Sequence, residues 1–258
     1  MPDPLADLAE LFDLDYGGYA DDLPFYEALA RRAEGPVLEL GCGSGRVAVA
    51  LARAGSEVWG IDIDEALLAR GRGAGEDVAS RLRLERADMR DFSLGRAFDL
   101  IYAAMGTFHH VLSPADQAAC LRCVHEHLTP GGLFVCDLRP ALHAGWEPIE
   151  STPLLHEWTR ALPRTGETVL KLRAVRADAA SQVQHETHVY DVVAADGSVR
   201  RLVTSVDLRF TTRYEMEELL RGAGLVLDQL YGDYDLGPFE ATSDLMITVA
   251  RRPAGERR

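Results

Sequence analysis

The sequence predicts an α/β fold: a parallel sheet covered by helices on both faces, with an antiparallel β insertion late in the chain. Three observations carry this. Short apolar runs of strand type alternate with helical patterns as far as about residue 140, and strands this apolar, separated by helices, are buried on both faces. A glycine-rich turn joins the first such run to the first helix that follows it. From about residue 151 the apolar period shortens to two, as in half-buried strands.

The elements follow in order. PVLELG (36–41) is a strand bounded by glycines, and SGRVAVALARAG then sets Val47, Leu51 and Ala54 at helical spacing, with Gly55 as the stop. EVWGIDI (57–63) is a second strand, DEALLARGRGAG a second helix, LRLERAD (82–88) a third strand and AFDLIYAA (97–104) a fourth. Ser113-Pro114 starts a helix, with Ser as cap and Pro in the first turn, that runs to about Leu128 and stops at TPGG. LFVCDLR (133–139) is the fifth strand.

Three extended segments follow: TVLKLRAVRA, QVQHETHVYDVV and SVRRLVTSVDLRF. In the last, Leu202, Thr204, Val206, Leu208 and Phe210 share one side and alternate with Arg201, Asp207 and Arg209. Asp196-Gly197 marks a hairpin between the second and third. Helical pattern returns at Thr212, where Thr212 and Glu215 form a capping-box pattern, and LVLDQLYGDY and DLMITVARR are two last strands. The expected organisation is an N-terminal cap segment (1–35), a core (36–140 and 213–251) and a β insertion (151–212).

Composition excludes several classes. The chain has 258 residues and a net charge of −14, from 41 acidic and 27 basic side chains. Such a surface repels phosphate backbones and anionic membranes, so neither nucleic acid nor membrane is expected as a partner. No apolar run is long enough to span a bilayer, and the acidic start MPDPLADLAELFDLD lacks the features of a signal peptide. The four cysteines suggest no disulfide framework, and a reducing cytoplasm is the expected location. Cys120-x-x-Cys123 with His125 and His127 sits in a helical pattern without a second ligand pair, so no metal is expected.

The chemistry concentrates in ELGCGSGR, Glu39 to Arg46. Glycines at a strand end let the chain turn tightly and let a ligand approach bare backbone near a helix N-terminus. The second strand ends on Asp62, some 20 residues past Gly41, a spacing that sets a carboxylate beside a ribose. A dinucleotide fingerprint would need glycine where Arg46 stands. Glu39, in the strand before the turn, would face a pyrophosphate badly. It suits a cofactor with cationic sulfonium and ammonium groups, held directly or through water.

E-x-G-x-G-x-G followed by an acid after the second strand resembles motifs I and II of the class I S-adenosylmethionine-dependent methyltransferases of small-molecule type. Ala87-Asp88-Met89 matches the place where that family holds adenine, FDLIYAAMGTFHH the fourth strand and the loop facing the methyl group, and L-x-P-G-G (128–132) a landmark before the fifth strand. The insertion is similar to those of sugar-amine N-methyltransferases and the glycine/sarcosine methyltransferases, where it lids the substrate pocket. The resemblance implies a Rossmann-like seven-stranded methyltransferase sheet in the order 3-2-1-4-5-7-6, the last strand antiparallel. It also implies S-adenosylmethionine as cofactor and S-adenosylhomocysteine as product. On this basis Glu39, Gly41 and Gly43 contact the methionine end, Asp62 the ribose, and Ile63, Asp88 and Met89 the adenine, with Arg46 a further cofactor contact. Ala104, in the segment that faces the methyl group, is a further cofactor contact, and Tyr16 or Tyr19 of the N-terminal segment contacts the cofactor carboxylate or the substrate.

The expected activity is methylation of nitrogen or oxygen on a small polar metabolite or natural product. Methyl transfer needs an unprotonated acceptor atom held in line, about 3 Å away. His109 and His110, after the fourth strand, are the candidate bases. Arg139, Trp146, Tyr190, Arg209, Arg213 and Tyr214 are candidate substrate contacts, with Tyr231–Asp235 a further polar-aromatic cluster. The rivals are a non-catalytic S-adenosylmethionine-binding protein and an NAD-dependent oxidoreductase, which Glu39 and Arg46 disfavour. Whether the chain is a monomer or a homodimer stays open.

Overall fold

The computed structural model describes residues 4–140 and 152–255. They form two compact units.

The larger unit spans Tyr19 to residue 140 and Thr211 to residue 255. Its strands are β1 (Val37–Leu40), β2 (Val58–Asp62), β3 (Leu82–Arg86), β4 (Phe98–Ala103) and β5 (Leu128–Leu138). The smaller unit contributes β6 to β9, so the last two core strands are β10 (Val226–Tyr231) and β11 (Met246–Arg251). They make one seven-stranded sheet in the order β10-β11-β5-β4-β1-β2-β3. Neighbours from β3 to β5 are parallel, and β11 runs antiparallel to both β5 and β10. Counting core strands alone, this is the expected order 3-2-1-4-5-7-6.

Alternation along each strand feeds two apolar layers. Leu38, Leu40, Ile101 and Phe134 pack with Cys120, Leu121 and Val124 of α5 (Pro114–His127) and Met216 and Leu220 of α6 (Arg213–Gly222). Val37, Val58, Leu100 and Val135 face the other layer. That layer holds Tyr26 of α2 (Leu23–Ala30), Leu51 of α3 (Arg46–Arg53) and Leu68 of α4 (Glu65–Ala74). Each fully buried Leu, Ile or Phe contributes roughly 1.5–3 kcal/mol, so these layers dominate the stability of the unit.

The caps match the sequence signals. Ser113 Oγ accepts from the Asp116 N–H at 3.0 Å, and Asp64 Oδ1 from Ala66 at 2.8 Å and Leu67 at 3.2 Å. The predicted capping box is complete: Glu215 Oε2 accepts from the Thr212 N–H at 3.3 Å, and the Thr212 side chain accepts from the Glu215 backbone N–H. One boundary differs from expectation: β5 begins at Leu128, so TPGG lies inside the strand, where Leu128 pairs with Phe98 across a register shift.

The smaller unit joins α1 (Pro4–Tyr16) to a four-stranded antiparallel sheet, β6 (Leu155–Ala161), β7 (Thr168–Asp178), β8 (Val183–Val193) and β9 (Val199–Arg209), in that order. The sequence pattern showed three of these strands. β6, LHEWTRA, was missed because it is an edge strand with little apolar alternation, and only Trp158 in it is even half-buried. In β9, Leu202, Thr204, Val206 and Leu208 lie inward as expected, and Gly197, at φ 82°, makes the hairpin turn. Arg209 departs from the alternation. It is buried, and its guanidinium donates to Gln182 Oε1 at 3.0 Å. The segment expected as an N-terminal cap (1–35) is divided between the two units at Gly18–Tyr19. No described helix is long and apolar enough to cross a membrane.

Candidate active site

The turn after β1 is built of left-handed glycines: Gly41 at φ 62°, Gly43 at φ 54° and Gly45 at φ 79°. A side chain at Gly41 would be strained there, and its Cβ would collide with Cγ2 of Thr107 and come within 3.4 Å of Cε of Met89. The backbone therefore stays bare where three predicted site segments converge. Gly43 donates its N–H to Asp62 Oδ2 at 2.8 Å, and the Asp64 N–H donates to Oδ1 at 2.9 Å. Each Asp62 oxygen has one of its lone pairs engaged by backbone. Such a carboxylate is fixed in direction and still able to accept from a diol.

Glu39 is 4% exposed and turned toward the start of α3. Its Oε2 accepts from the Ala48 N–H at 2.9 Å and from the Tyr102 hydroxyl at 3.2 Å. Burial pushes its carboxyl up to about 8, against the opposing pull of Arg46, Tyr102 and the Ala48 amide. The acid that the sequence pointed at a cationic ligand thus also satisfies a helix N-terminus.

Arg46, in the first turn of α3, places a cation at the positive end of a helix, and a buried partner offsets this. Its guanidinium takes both oxygens of Asp22 at 2.6 Å and donates to the Tyr19 carbonyl at 2.9 Å. It also lies 5.4 Å from the centre of the Tyr19 ring. Asp22 is fully buried. The pair ties the segment before α2 to the glycine turn. The Tyr19 phenol has its ionisation pushed up by burial and then by Asp22 and Asp21, and it is hydrogen-bonded to Tyr234.

At the end of β4, Ala104 is buried, Met105 adopts the left-handed φ of 56° with its side chain 37% exposed, and Gly106 follows at φ 73°. A 3-10 turn, Thr107–His110, comes next. His109 is buried, and its Nε2 accepts from the Arg139 N–H at 3.1 Å; His110 is exposed. Behind this turn lies Asp137 of β5, which no motif had indicated. Its Oδ1 accepts from the Gly106 N–H at 2.8 Å, and its Oδ2 from the Tyr26 hydroxyl at 2.9 Å and the Tyr234 hydroxyl at 2.7 Å. The available signal was an acid inside the apolar run LFVCDL, together with tyrosines far away in sequence.

Ile63 is a large apolar side chain left 65% exposed beside Asp62. Asp88 is held by Arg90, with contacts of 2.6 and 2.9 Å, and this hydrogen bonding pulls its carboxyl below the usual range. The remaining candidates are divided between the two units. Tyr214 is 72% exposed at the start of α6, and Arg213 lies 5.4 Å from its ring centre. Tyr16, Tyr190 and Arg209 belong to the smaller unit, where Tyr190 donates to Asp15 at 3.0 Å and Lys171 lies 5.6 Å from the Tyr16 ring. Trp146 lies outside the described residues.

Bare glycine backbone, an oriented acid at the end of β2, an exposed apolar side chain next to it and a buried acid before the turn fit the donor chemistry of S-adenosylmethionine. Comparison with known proteins agrees. A family described as a methyltransferase domain matches residues 37–132. The chain is 28% identical over 237 residues to the dTDP-3-amino-3,6-dideoxy-alpha-D-glucopyranose N,N-dimethyltransferase of Streptomyces fradiae, covering 88% of this chain and 86% of that protein. It is 27% identical over 230 residues to a cypemycin N-terminal methyltransferase of a Streptomyces species, covering 84% and 82%. Among solved structures, the CcbJ methyltransferase from Streptomyces caelestis superposes with a TM-score of 0.72 at 27% identity over 98% of this chain and 97% of that one. With the strand order and the glycine turn described above, these similarities make the chain a class I S-adenosylmethionine-dependent methyltransferase of the small-molecule type.

Proposed function

We propose that this enzyme methylates an amine nitrogen on a small polar natural product, such as an amino sugar or the amino end of a peptide. Two similar proteins are named for those acceptors. The observation that carries the reading is the clamp of Gly43 on Asp62 beside the bare backbone of Gly41.

S-adenosylmethionine supplies a methyl group already activated on a sulfonium. The protein's task is then to bind and orient. Asp62 takes the ribose hydroxyls, and Ile63, Met89 and Asp88 line the adenine. Gly41, Gly43, Arg46 and Glu39 take the methionine end, with Tyr19 above it and Ala104 beside the methyl group. Arg46 acts there by holding Tyr19 and Asp22 in place. His109 works as a strut, because its Nε2 is engaged by the Arg139 amide, and His110 is the histidine assigned to take a proton. Arg139 and Tyr214 of the core unit are assigned to acceptor recognition. The net charge of −14 supports a reading without a nucleic-acid partner.

The test is S-adenosylhomocysteine release by the purified chain with S-adenosylmethionine and two acceptor panels. One panel holds amino-sugar nucleotides and peptides with free amino ends, the other their hydroxyl counterparts. Release with amines, and a matching mass gain of one methyl group, is expected. Release only with the hydroxyl panel would move the assignment to oxygen, and none with either, despite cofactor binding, would favour a non-catalytic binding protein.

A further inference from the structure

We infer that Asp137 is a fixed negative charge that makes this site favour a sulfonium ligand over its neutral thioether product, an inference resting on the cofactor assignment proposed above. Asp137 is 1% exposed, next to last in β5. An ionised carboxylate persists in such a place only when its lone pairs are engaged. Here the Tyr26 and Tyr234 hydroxyls and the Gly106 amide engage them, and the Met105 amide adds a further backbone donor. Burial holds the carboxyl above the usual carboxylate range, and all four donors oppose that rise. Both phenols are pushed upward in their own ionisation, by burial first and by Asp137 next. They stay neutral and donate.

Among the described residues, Arg46 interacts with Asp137 and also with Asp22 and Glu39. Asp22 takes the Arg46 guanidinium in two hydrogen bonds of 2.6 Å, so that pair is neutral as a unit. Glu39, with its carboxyl pushed up to about 8, holds its proton near neutral pH. Tyr19, joined to Tyr234, is uncharged there too, since its ionisation is also raised. The Asp137 carboxylate, engaged by these donors, therefore lies behind the Met105–Gly106 turn, at the exit of β4. In a poorly screened interior such a charge acts over several ångströms. S-adenosylmethionine and S-adenosylhomocysteine differ by one methyl group and the charge on sulfur, so the ratio of their affinities reports the field at that atom.

The experiment is calorimetric titration with S-adenosylmethionine, S-adenosylhomocysteine and sinefungin, whose ammonium stands near the place of the sulfonium. In Asp137→Asn, affinity for the two cationic ligands is expected to fall about tenfold while that for S-adenosylhomocysteine stays within about twofold. Asp137→Glu, which keeps the charge, should recover most of the preference. An equal loss for all three ligands marks a purely structural residue and overturns the inference, as does an unchanged ratio. A wild-type chain that binds none of the three overturns the cofactor assignment and the inference with it. If Asp137→Asn does not fold, the Tyr26→Phe/Tyr234→Phe variant removes both phenol donors and raises the proton affinity of the acid. The preference for S-adenosylmethionine should then rise with pH more steeply than in the wild-type chain, and a pH profile equal to the wild-type one overturns the inference.

Discussion

Gly43 and Asp62 are joined by a backbone hydrogen bond of 2.8 Å that makes the turn after β1 and the end of β2 one rigid piece. Either residue alone is ordinary. Together they give the acid a fixed direction and the turn a fixed height, and the two most specific signals in the sequence become one object.

Asp62→Ala should weaken S-adenosylmethionine binding by more than tenfold, because it removes paired charge-assisted hydrogen bonds and frees the Gly43 amide. Asp62→Asn, which keeps one carbonyl acceptor, should lose less. Calorimetric titration of both variants checks the order, and unchanged affinity in Asp62→Ala would falsify the ribose assignment.

Gly41→Ala should destabilise the fold by about 1–3 kcal/mol, through a left-handed φ and a collision with Thr107 Cγ2. Adding Thr107→Ser removes that methyl and keeps the hydroxyl bond to the Ala104 carbonyl, 2.7 Å in the parent. The double variant should recover the part of the loss due to the collision, and only the backbone part should persist. Urea denaturation of the two variants measures it. No recovery would mean that backbone strain accounts for the whole cost.

Glu39 makes stability depend on pH. Its folded carboxyl is pushed up to about 8 from an ordinary 4.5, so across that window the folded chain holds a proton that the unfolded chain has released. Stability from this group is complete below about pH 4.5, falls as pH rises toward 8 and is level beyond. At about 1.4 kcal/mol per pH unit for a full proton, the span is of order 5 kcal/mol as an upper bound. Thermal melts of wild type and Glu39→Gln between these limits should show the slope in the first and its loss in the second.

Arg46→Met should cost about 3–5 kcal/mol, because it strands the fully buried Asp22 carboxylate without its partner. Arg46→Met with Asp22→Asn removes both charges and should cost clearly less than Arg46→Met alone. A double-mutant cycle in urea separates the coupling from the packing, and simple additivity would show that the pair carries no special coupling.

Much of the core unit was legible along the chain because its signals are local. Glycine pattern, strand-type apolar runs, Ser113-Pro114 and the Thr212–Glu215 pair are each read within a few residues, and the structure places each in the element it predicted. β6 was not legible, since an edge strand with exposed residues on both faces has no period to detect. The burial of Arg209 was equally hidden, because alternation predicts a side chain's face and not what covers it.

Local order therefore pointed to the cofactor chemistry this chain houses, through the bare turn at the end of β1 and the acid one strand over. Folding alone decided how the charges around that turn are shared. Asp22 found Arg46 across 24 positions, Tyr26 and Tyr234 met on Asp137 from 111 and 97 positions away, and Glu39 turned to the amide of Ala48. A hydrogen bond or ion pair needs its partners within about 3 Å whatever their distance in the chain, and only the packed sheet brings them that close.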